Sequence, residues 1–318
     1  MPIIESTYKP SFIFKNRHLS TAIASKLRKV PQLNFKRERI ELRNKDFIDI
    51  DWNLTGSKKV LIVVHGLGGY STRTYMRAII KKFEAMGFDS AAMNMRGCSG
   101  ETNRLIETYH AGRSEDLREV INAIRKKKKY NTFVLAGFSL GGNLILKYLG
   151  EEGSRAKIDA AIAISSPIDL VASSIKMSGQ PFYMKYFFKK LRPYLEKKQK
   201  LFPQISLENF EKLKTFDDYD NRYTAPLNGF KNAKDYWVKA SALPFIKSIK
   251  VPTLMINALD DPILTEKSYP VKFAKSSKNF YLCTPQYGGH VGFIQKNDKH
   301  EFYQEEMSEK FLKLINLI

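Results

Sequence analysis

Strand-like and helix-like hydrophobic patterns alternate along this chain from about residue 33 to its C-terminus. Two of the strand-like segments, residues 59–65 (KVLIVVH) and 132–138 (TFVLAGF), are nearly continuous apolar runs. Such runs are typical of parallel strands that helices cover on both faces. Between them lie segments in which apolar residues recur with helical spacing, as at Met76, Ile79, Ile80 and Phe83. The alternation predicts an α/β fold with a mostly parallel central sheet and helices on both faces.

The pattern predicts eight strands and five helices. The predicted strands are residues 33–42, 47–53, 59–65, 90–95, 132–138, 158–164, 253–257 and 280–283. The predicted helices are residues 72–86, 114–128, 140–149, 269–275 and 300–318. The first two strands are expected to pair with each other. We interpret residues 1–318 as a single domain.

The regular alternation stops between about residues 166 and 250. This stretch is first aromatic and basic (PFYMKYFFKKLRPYLEKKQK) and then polar with turn residues (FDDYDNRYTAPLNGF). It is too long to be a loop, so a mostly helical insertion is predicted. An insertion over the carboxyl edge of a parallel sheet would cover the ligand crevice. We expect a cap that shapes an acyl pocket; the alternative is a peripheral packing lobe.

The segment Gly137-Phe138-Ser139-Leu140-Gly141 has the pattern of a nucleophile elbow. In such an elbow the serine occupies a sharp, strained turn between a strand and a helix, and the flanking glycines allow the two backbones to approach. A buried strand precedes this segment and a helical pattern follows it, as the motif requires. Ser139 is therefore the predicted nucleophile.

The segment His65-Gly66-Leu67-Gly68-Gly69 directly follows the predicted strand 59–65. In hydrolases with a nucleophile elbow, the loop at this place supplies one backbone N–H to the oxyanion hole, and the residue after the nucleophile supplies the other. Leu67 and Leu140 are the predicted donors. The alternative is a glycine-rich turn without a catalytic role. His65 is expected to brace the loop rather than to act as a base.

Two further segments follow predicted strands and contain a carboxylate and a histidine. Asn257-Ala258-Leu259-Asp260-Asp261-Pro262 places Asp261 where a triad acid is expected, and Asp260 beside it is expected to anchor a loop. Gly288-Gly289-His290 follows the last predicted strand and supplies the predicted base. The order Ser139, Asp261, His290 is the chain order of the α/β hydrolases.

The remaining histidines and Arg96 receive structural interpretations. His18 and His300 have no partner pattern and are interpreted as surface or packing residues. His110 either lines the site or braces its loop, and Arg96 is expected to tie loops together. The sequence contains no histidine–cysteine cluster, which argues against a structural zinc site.

The formal net charge of +21 has two explanations. Lysines could be spread over solvated helix faces, or they could attract an anionic membrane surface weakly. Nucleic acid is not expected as a partner because no known nucleic-acid-binding motif is present. Cys98 and Cys283 belong to no cysteine motif, and no stretch approaches the ~20 apolar residues of a membrane span. These features predict a soluble, cytoplasmic protein.

The chain also resembles the YheT-like family of α/β hydrolases, a group of predicted esterases. The resemblance rests on segments along nearly the whole chain: NRHLST, HGLGG, MRGCSG, YHAGRSEDL, GFSLGGN, FDDYDNRYTAPLNGF, NALDDP and GGHVGF. It departs at Leu19-Ser20-Thr21, where the family usually has a glutamine–threonine pair. The resemblance implies a triad of Ser139, Asp261 and His290, an oxyanion hole, no metal and no cofactor.

These observations predict hydrolysis of a small or lipid-like carboxylic ester with a short or medium acyl chain. A thioesterase, a monoacylglycerol lipase or an acyltransferase would use the same residues and remains an alternative. A more distant alternative is a non-catalytic protein that binds membranes or nucleic acid through its basic surface.

Overall fold

The computed structural model describes residues 2–295 and 301–318 and contains one large sheet. Its strands are β1 (Ile3–Ile4), β2 (Lys36–Glu41), β3 (Phe47–Asn53), β4 (Lys59–Val64), β5 (Asp89–Asn94), β6 (Thr132–Phe138), β7 (Ala160–Ile164), β8 (Thr253–Ile256) and β9 (Phe280–Cys283). They are arranged in the order β1-β9-β8-β7-β6-β4-β5-β3-β2. Only β3 pairs antiparallel, with β2 and β5; the other pairs are parallel. The predicted mostly parallel sheet is confirmed.

Helices cover both faces of this sheet. The α-helices of the described residues are α1 (Arg17–Leu27), α2 (Thr74–Ala85), α3 (Ser114–Lys126), α4 (Leu140–Glu152), α5 (Leu170–Ser178), α6 (Pro181–Leu201), α7 (Phe216–Tyr219), α8 (Ala225–Leu227), α9 (Ala233–Ala240), α10 (Val271–Ser276) and α11 (Tyr303–Leu314). Apolar residues of α2 and α11 pack on one face of the sheet, and those of α3, α4 and α10 pack on the other. None of the helices in the described part of the chain is long and apolar enough to cross a membrane.

All eight predicted strands and the five predicted helices have counterparts. The boundaries agree best where a strand is buried on both faces, as in β6, and differ by up to four residues elsewhere. Residue 300, the first of the predicted helix 300–318, lies outside the described residues. The observed helix α11 begins at Tyr303. The sequence missed β1 and α1.

The stretch between β7 and β8 is mostly helical and contains α5 to α9. It has a hydrophobic cluster of its own, which includes Met184, Phe188 and Leu195 of α6 and Phe210 and Tyr223 of the later segment. A single π-helical turn, Asp220–Thr224, connects α7 to α8. The predicted helical content of residues 166–250 is therefore present.

Candidate active site

Ser139 lies at the sharp turn between β6 and α4. Its backbone has φ of +53° and ψ of −119°, a conformation that a non-glycine residue rarely adopts. The turn is fixed on both sides, because Ser139 donates its N–H to Ile164 O of β7 and accepts from Asn143 N of α4. The strained position predicted from the motif is the one observed, and the hydroxyl is presented at the carboxyl end of the sheet.

The glycines of the motif are required by close backbone contacts. A Cβ atom on Gly137 would lie 2.4 Å from Gly141 O, and one on Gly141 would lie 2.5 Å from Val64 O. Both distances are shorter than any real Cβ contact, so the backbones of β6, α4 and β4 approach too closely for side chains here. The elbow is therefore built by backbone packing.

The structure brings Ser139, His290 and Asp261 together. His290 Nε2 lies 2.8 Å from Ser139 Oγ, and His290 Nδ1 lies 2.8 Å from Asp261 Oδ2. Asp261 is buried, with 1% of its surface exposed, and its Oδ1 accepts from Ile263 N and Leu264 N. This arrangement can transfer a proton from the hydroxyl to the imidazole while the carboxylate holds the ring in one orientation.

Asp260 points away from the imidazole. Its Oδ1 accepts from Gly289 N at 2.9 Å, one residue before His290, and its Oδ2 is buried without a partner among the described residues. Burial raises the pKa of the Asp260 carboxyl, and the charge of Asp261 beside it adds to the increase. The two adjacent carboxylates thus lie in different environments, and Asp261 is the one that faces His290.

Helix α1, which the sequence did not predict, holds the loop that carries His290. His290 donates its N–H to Thr21 Oγ1 at 2.9 Å, and Thr21 donates in turn to Arg17 O. Ser20, fully buried, donates to Gly288 O. A Cβ on Gly289 would lie 2.6 Å from Arg17 O, so the helix and the loop are in direct contact. Thr21 and Ser20 are functional candidates that the sequence analysis did not single out, although both lie in the family-like segment NRHLST.

The loop after β4 lies against Ser139. A Cβ on Gly66 would lie 3.1 Å from Ser139 Cβ. Gly66 and Gly68 donate their N–H groups to the hydroxyls of Tyr75 and Tyr109, whereas the N–H of Leu67 has no acceptor among the described residues. Leu140 is the first residue of α4, so its N–H has no partner within the helix. Two unused backbone donors therefore flank the serine.

The other singled-out residues have structural contacts. His65 is fully buried between Gly66 O and Met95 N, and burial lowers its pKa to about 4, so it braces its loop as a neutral ring. Arg96 binds Asp46 and Asp116, which confirms that it ties loops together.

Two histidines have more specific surroundings than expected. His110 accepts from Gly112 N and also lines the cavity beside Ser139, and burial lowers its pKa to about 3. His18 Nδ1 lies 2.9 Å from the hydroxyl of Tyr183, so it joins α1 to α6. His300 lies outside the described residues.

A partly open cavity leads away from Ser139. Leu67 and Leu140 line it together with Ser139, and residues of α5, α6, α7 and α9 form its walls. Most of these wall residues are apolar or aromatic: Leu170, Met177, Phe187, Leu191, Tyr194, Phe216 and Trp237. Within the described residues, no group of three or more histidine, cysteine or acidic side chains could hold a metal ion.

Comparison with known proteins identifies the family. Residues 59–297 match the sequence profile described as "alpha/beta hydrolase fold". The chain belongs to the α/β hydrolases. It is also 31% identical, over 290 residues, to the Escherichia coli (strain K12) protein named "Putative esterase YheT", with 88% of this chain and 85% of that protein covered. The resemblance to the YheT-like family is therefore confirmed.

Other α/β hydrolases resemble the chain in sequence or in fold. A Saccharomyces cerevisiae protein named "Monoacylglycerol lipase" is 32% identical over 277 residues, which cover 83% of this chain and 61% of that protein. Among solved structures, the Pyrococcus furiosus esterase Pf2001 has a TM-score of 0.60 at 20% identity, with 90% of this chain and 96% of that chain covered. At this identity the structural likeness shows the α/β-hydrolase fold alone.

Proposed function

We propose that this chain is a serine esterase that hydrolyses carboxylic esters through Ser139, His290 and Asp261. The observation that carries the proposal is the pair of 2.8 Å distances that join Ser139 Oγ to His290 Nε2 and His290 Nδ1 to Asp261 Oδ2. These distances lie within the range of direct hydrogen bonds, so a proton can move from serine to histidine without rearrangement. The sequence relatives named as esterase and lipase support hydrolase chemistry.

In the proposed mechanism His290 removes the Ser139 proton as Oγ attacks the ester carbonyl carbon. The protonated imidazole then donates its proton to the leaving alkoxide, which departs as an alcohol and leaves an acyl-enzyme. His290 next removes a proton from water, and the hydroxide that forms attacks the acyl carbon and releases the acid. Asp261 holds the ring and offsets the positive charge that it carries in both halves.

The negative charge on the carbonyl oxygen would be stabilised by the backbone N–H groups of Leu67 and Leu140. Both residues line the cavity together with Ser139, and neither N–H is used elsewhere in the described structure. A donor of this kind contributes roughly 3–4 kcal/mol to the transition state where it has been measured in other enzymes.

The helical stretch 166–250 is proposed to act as a cap over the acyl pocket. It has its own hydrophobic cluster, and α5, α6, α7 and α9 form the walls of the cavity beside Ser139. An apolar pocket of this kind favours an acyl chain of short or medium length. The yeast relative named as a monoacylglycerol lipase supports a lipid-like ester as the substrate class.

The proposal is tested by ester hydrolysis across p-nitrophenyl esters with acyl chains of two to sixteen carbons. We expect kcat/KM to rise with chain length to a maximum at a short or medium chain and then to fall. The matching thioesters and monoacylglycerols, measured in the same assay, separate an esterase from a thioesterase or a monoacylglycerol lipase. An added alcohol acceptor reveals acyl transfer, because the acid product is then replaced by a new ester.

A fluorophosphonate probe tests for catalysis without a known substrate. We expect covalent labelling of the native chain and none of Ser139→Ala. A native chain that is folded yet neither labelled nor active on any ester would favour a non-catalytic, surface-binding protein.

A cytoplasmic location is supported by the two free cysteines, Cys98 and Cys283, which suit a reducing compartment.

A further inference from the structure

One side of helix α6 faces away from the protein and combines aromatic residues with lysines. Phe182, Lys185, Tyr186 and Lys189 recur at intervals of three or four residues, so they lie along a single stripe of the helix. We call these four residues the outer face of α6. Phe182 is 71% exposed and Tyr186 is 50% exposed. Exposing two large aromatic side chains to water on neighbouring turns of a helix costs free energy unless another surface covers them.

The charge of α6 is strongly positive. The helix contains seven basic residues and one acidic residue, Glu196, which pairs with Arg192. Lys185 and Lys189 have no ion-pair partner among the described residues. On α11, by contrast, Lys310 pairs with Glu306 and Lys313 pairs with Glu309. The lysines of the outer face of α6 are therefore available to an external anion, whereas those of α11 are already neutralised.

The opposite side of the same helix belongs to the cavity of the proposed active site. Phe187, Leu191 and Tyr194 line that cavity, and Phe188 and Leu195 are buried in the cluster behind it. Helix α6 is thus a wall one helix thick, with the cavity on one side and the exposed aromatic residues on the other. A surface that touched the outer face would lie about one helix diameter, ~10 Å, from the cavity lining.

We propose that the outer face of α6 docks onto the surface of an anionic lipid bilayer. Phe182 and Tyr186 would insert at the boundary between headgroups and acyl chains, where amphipathic aromatic side chains are favoured. Lys185 and Lys189 would bind the lipid phosphates, and their long apolar stems would follow the inserted rings. The docked helix would bring lipid-like esters close to the cavity; this last step rests on the proposed function, and the docking does not.

The observations favour a bilayer over two other occupants. A second copy of the chain would bring the same unpaired lysines against each other, which repels. A single-stranded nucleic acid could stack on aromatic residues, but such proteins track the backbone in a basic groove, and the outer face of α6 is the rounded surface of a helix.

Vesicle co-sedimentation tests the docking directly. The native chain is mixed with phosphatidylcholine vesicles, with or without about a third phosphatidylglycerol. We expect at least tenfold tighter binding to the anionic vesicles, and we expect that preference to weaken severalfold between 50 and 500 mM salt because screening shortens the reach of charge. Phe182→Ser/Tyr186→Ser and Lys185→Gln/Lys189→Gln should each bind the anionic vesicles about tenfold more weakly or worse.

Matched controls separate the outer face of α6 from total charge and exposed apolar area. Lys310→Gln/Lys313→Gln removes the same charge from α11, and Val238→Ser/Leu314→Ser removes two residues that are 53% and 58% exposed elsewhere. Both controls should bind anionic vesicles like the native chain. The thermal midpoint of every variant should stay within a few degrees of the native value, which shows that the fold is intact.

Three results would overturn the proposal. The native chain could bind neutral and anionic vesicles equally or not at all, or the α11 control could lose as much binding as the α6 variants. A labelled 20-nucleotide single strand could also bind through the outer face of α6 while vesicles do not, which would make this surface a nucleic-acid site. Because binding is measured without turnover, an inactive enzyme that still docks would overturn only the proposed function.

Discussion

The two sides of Ser139 are built by different means. On the first, the sheet side, Ser139 and the loop of Leu67 are fixed by parallel strands and by glycines that allow the backbones to meet. On the second, the loop side, His290 donates its N–H to Thr21 Oγ1 of α1, and the neighbouring Gly289 donates its N–H to Asp260 Oδ1. Backbone packing holds Ser139 in a single position, whereas the separate hydrogen bonds that hold the loop of His290 can break one at a time. The two sides should therefore respond differently to substitution.

The largest effect is expected on the sheet side, from Ser139→Ala. Removal of the nucleophile should lower kcat for ester hydrolysis by several orders of magnitude, as in other serine triads, with the fold intact. The measurement is hydrolysis of one p-nitrophenyl ester, with circular dichroism to confirm folding. Ser178→Ala is the control, because that hydroxyl bonds only within α5, and it should retain activity within about twofold. A Ser139→Ala enzyme with a tenth of native activity would remove Ser139 from this role.

The next effect compares the two carboxylates of the loop side. Asp261→Asn should lower kcat about 10⁴-fold, because the amide cannot hold the imidazole in the required tautomer. Asp260→Asn should cost less than about tenfold, because its carboxylate supports the loop through Gly289 N and does not touch His290. Both variants are measured in one assay after their folding is verified. If Asp260→Asn were the crippling change, the acid would be Asp260 and the proposed triad would be wrong.

A smaller, graded effect is expected from α1. Thr21→Val keeps the shape of the side chain but leaves the N–H of His290 without its acceptor, so the ring should spend less time aligned with Ser139. We expect kcat to fall about three- to tenfold while KM changes little. Thr21→Ser keeps the hydroxyl and should restore native kcat. Equal losses in the serine and valine variants would show that α1 supports the fold and does not position His290.

The difference between the two sides also explains which features the sequence predicted. The predicted residues of the sheet side, and Asp261 of the loop side, belong to short local patterns. In each pattern a buried strand, a turn and the candidate catalytic residue follow one another within about ten positions, as in GFSLG and NALDDP. These patterns are the basis on which Ser139, Leu67 and Asp261 are predicted as site residues. The positions of Thr21 and Ser20 were not predicted, because they depend on single hydroxyl contacts with a loop 268 or 269 residues away. No periodicity records such a contact.

The same limit applies to the helical stretch 166–250. Its helical content was predicted, but the burial of Asp220 was not, since an acidic residue in a polar segment is ordinarily exposed. Asp220 is 6% exposed and lines the cavity, where it accepts from Trp237 Nε1 at 2.7 Å and Thr224 Oγ1 at 2.5 Å. Burial raises the pKa of this carboxyl from 3.8 to about 7, although the two donors oppose the increase.

The smallest effect on activity is expected from Asp220→Asn, which tests this wall of the cavity. We expect this substitution to change the pH dependence of stability. Because the folded-state pKa exceeds the unfolded value, the contribution of Asp220 is fully present below about pH 4 and is lost as pH rises through about 7. An asparagine stays neutral at every pH and avoids this loss. The free energy of unfolding of the variant, relative to the native chain, should rise between pH 5 and 8 by about 1–4 kcal/mol. Urea unfolding at four pH values measures the difference, and Glu211→Gln, at an exposed position in the same helical stretch, is the control. If the difference stays constant between pH 5 and 8, the donors Trp237 and Thr224 hold Asp220 ionised throughout this range, and burial does not dominate.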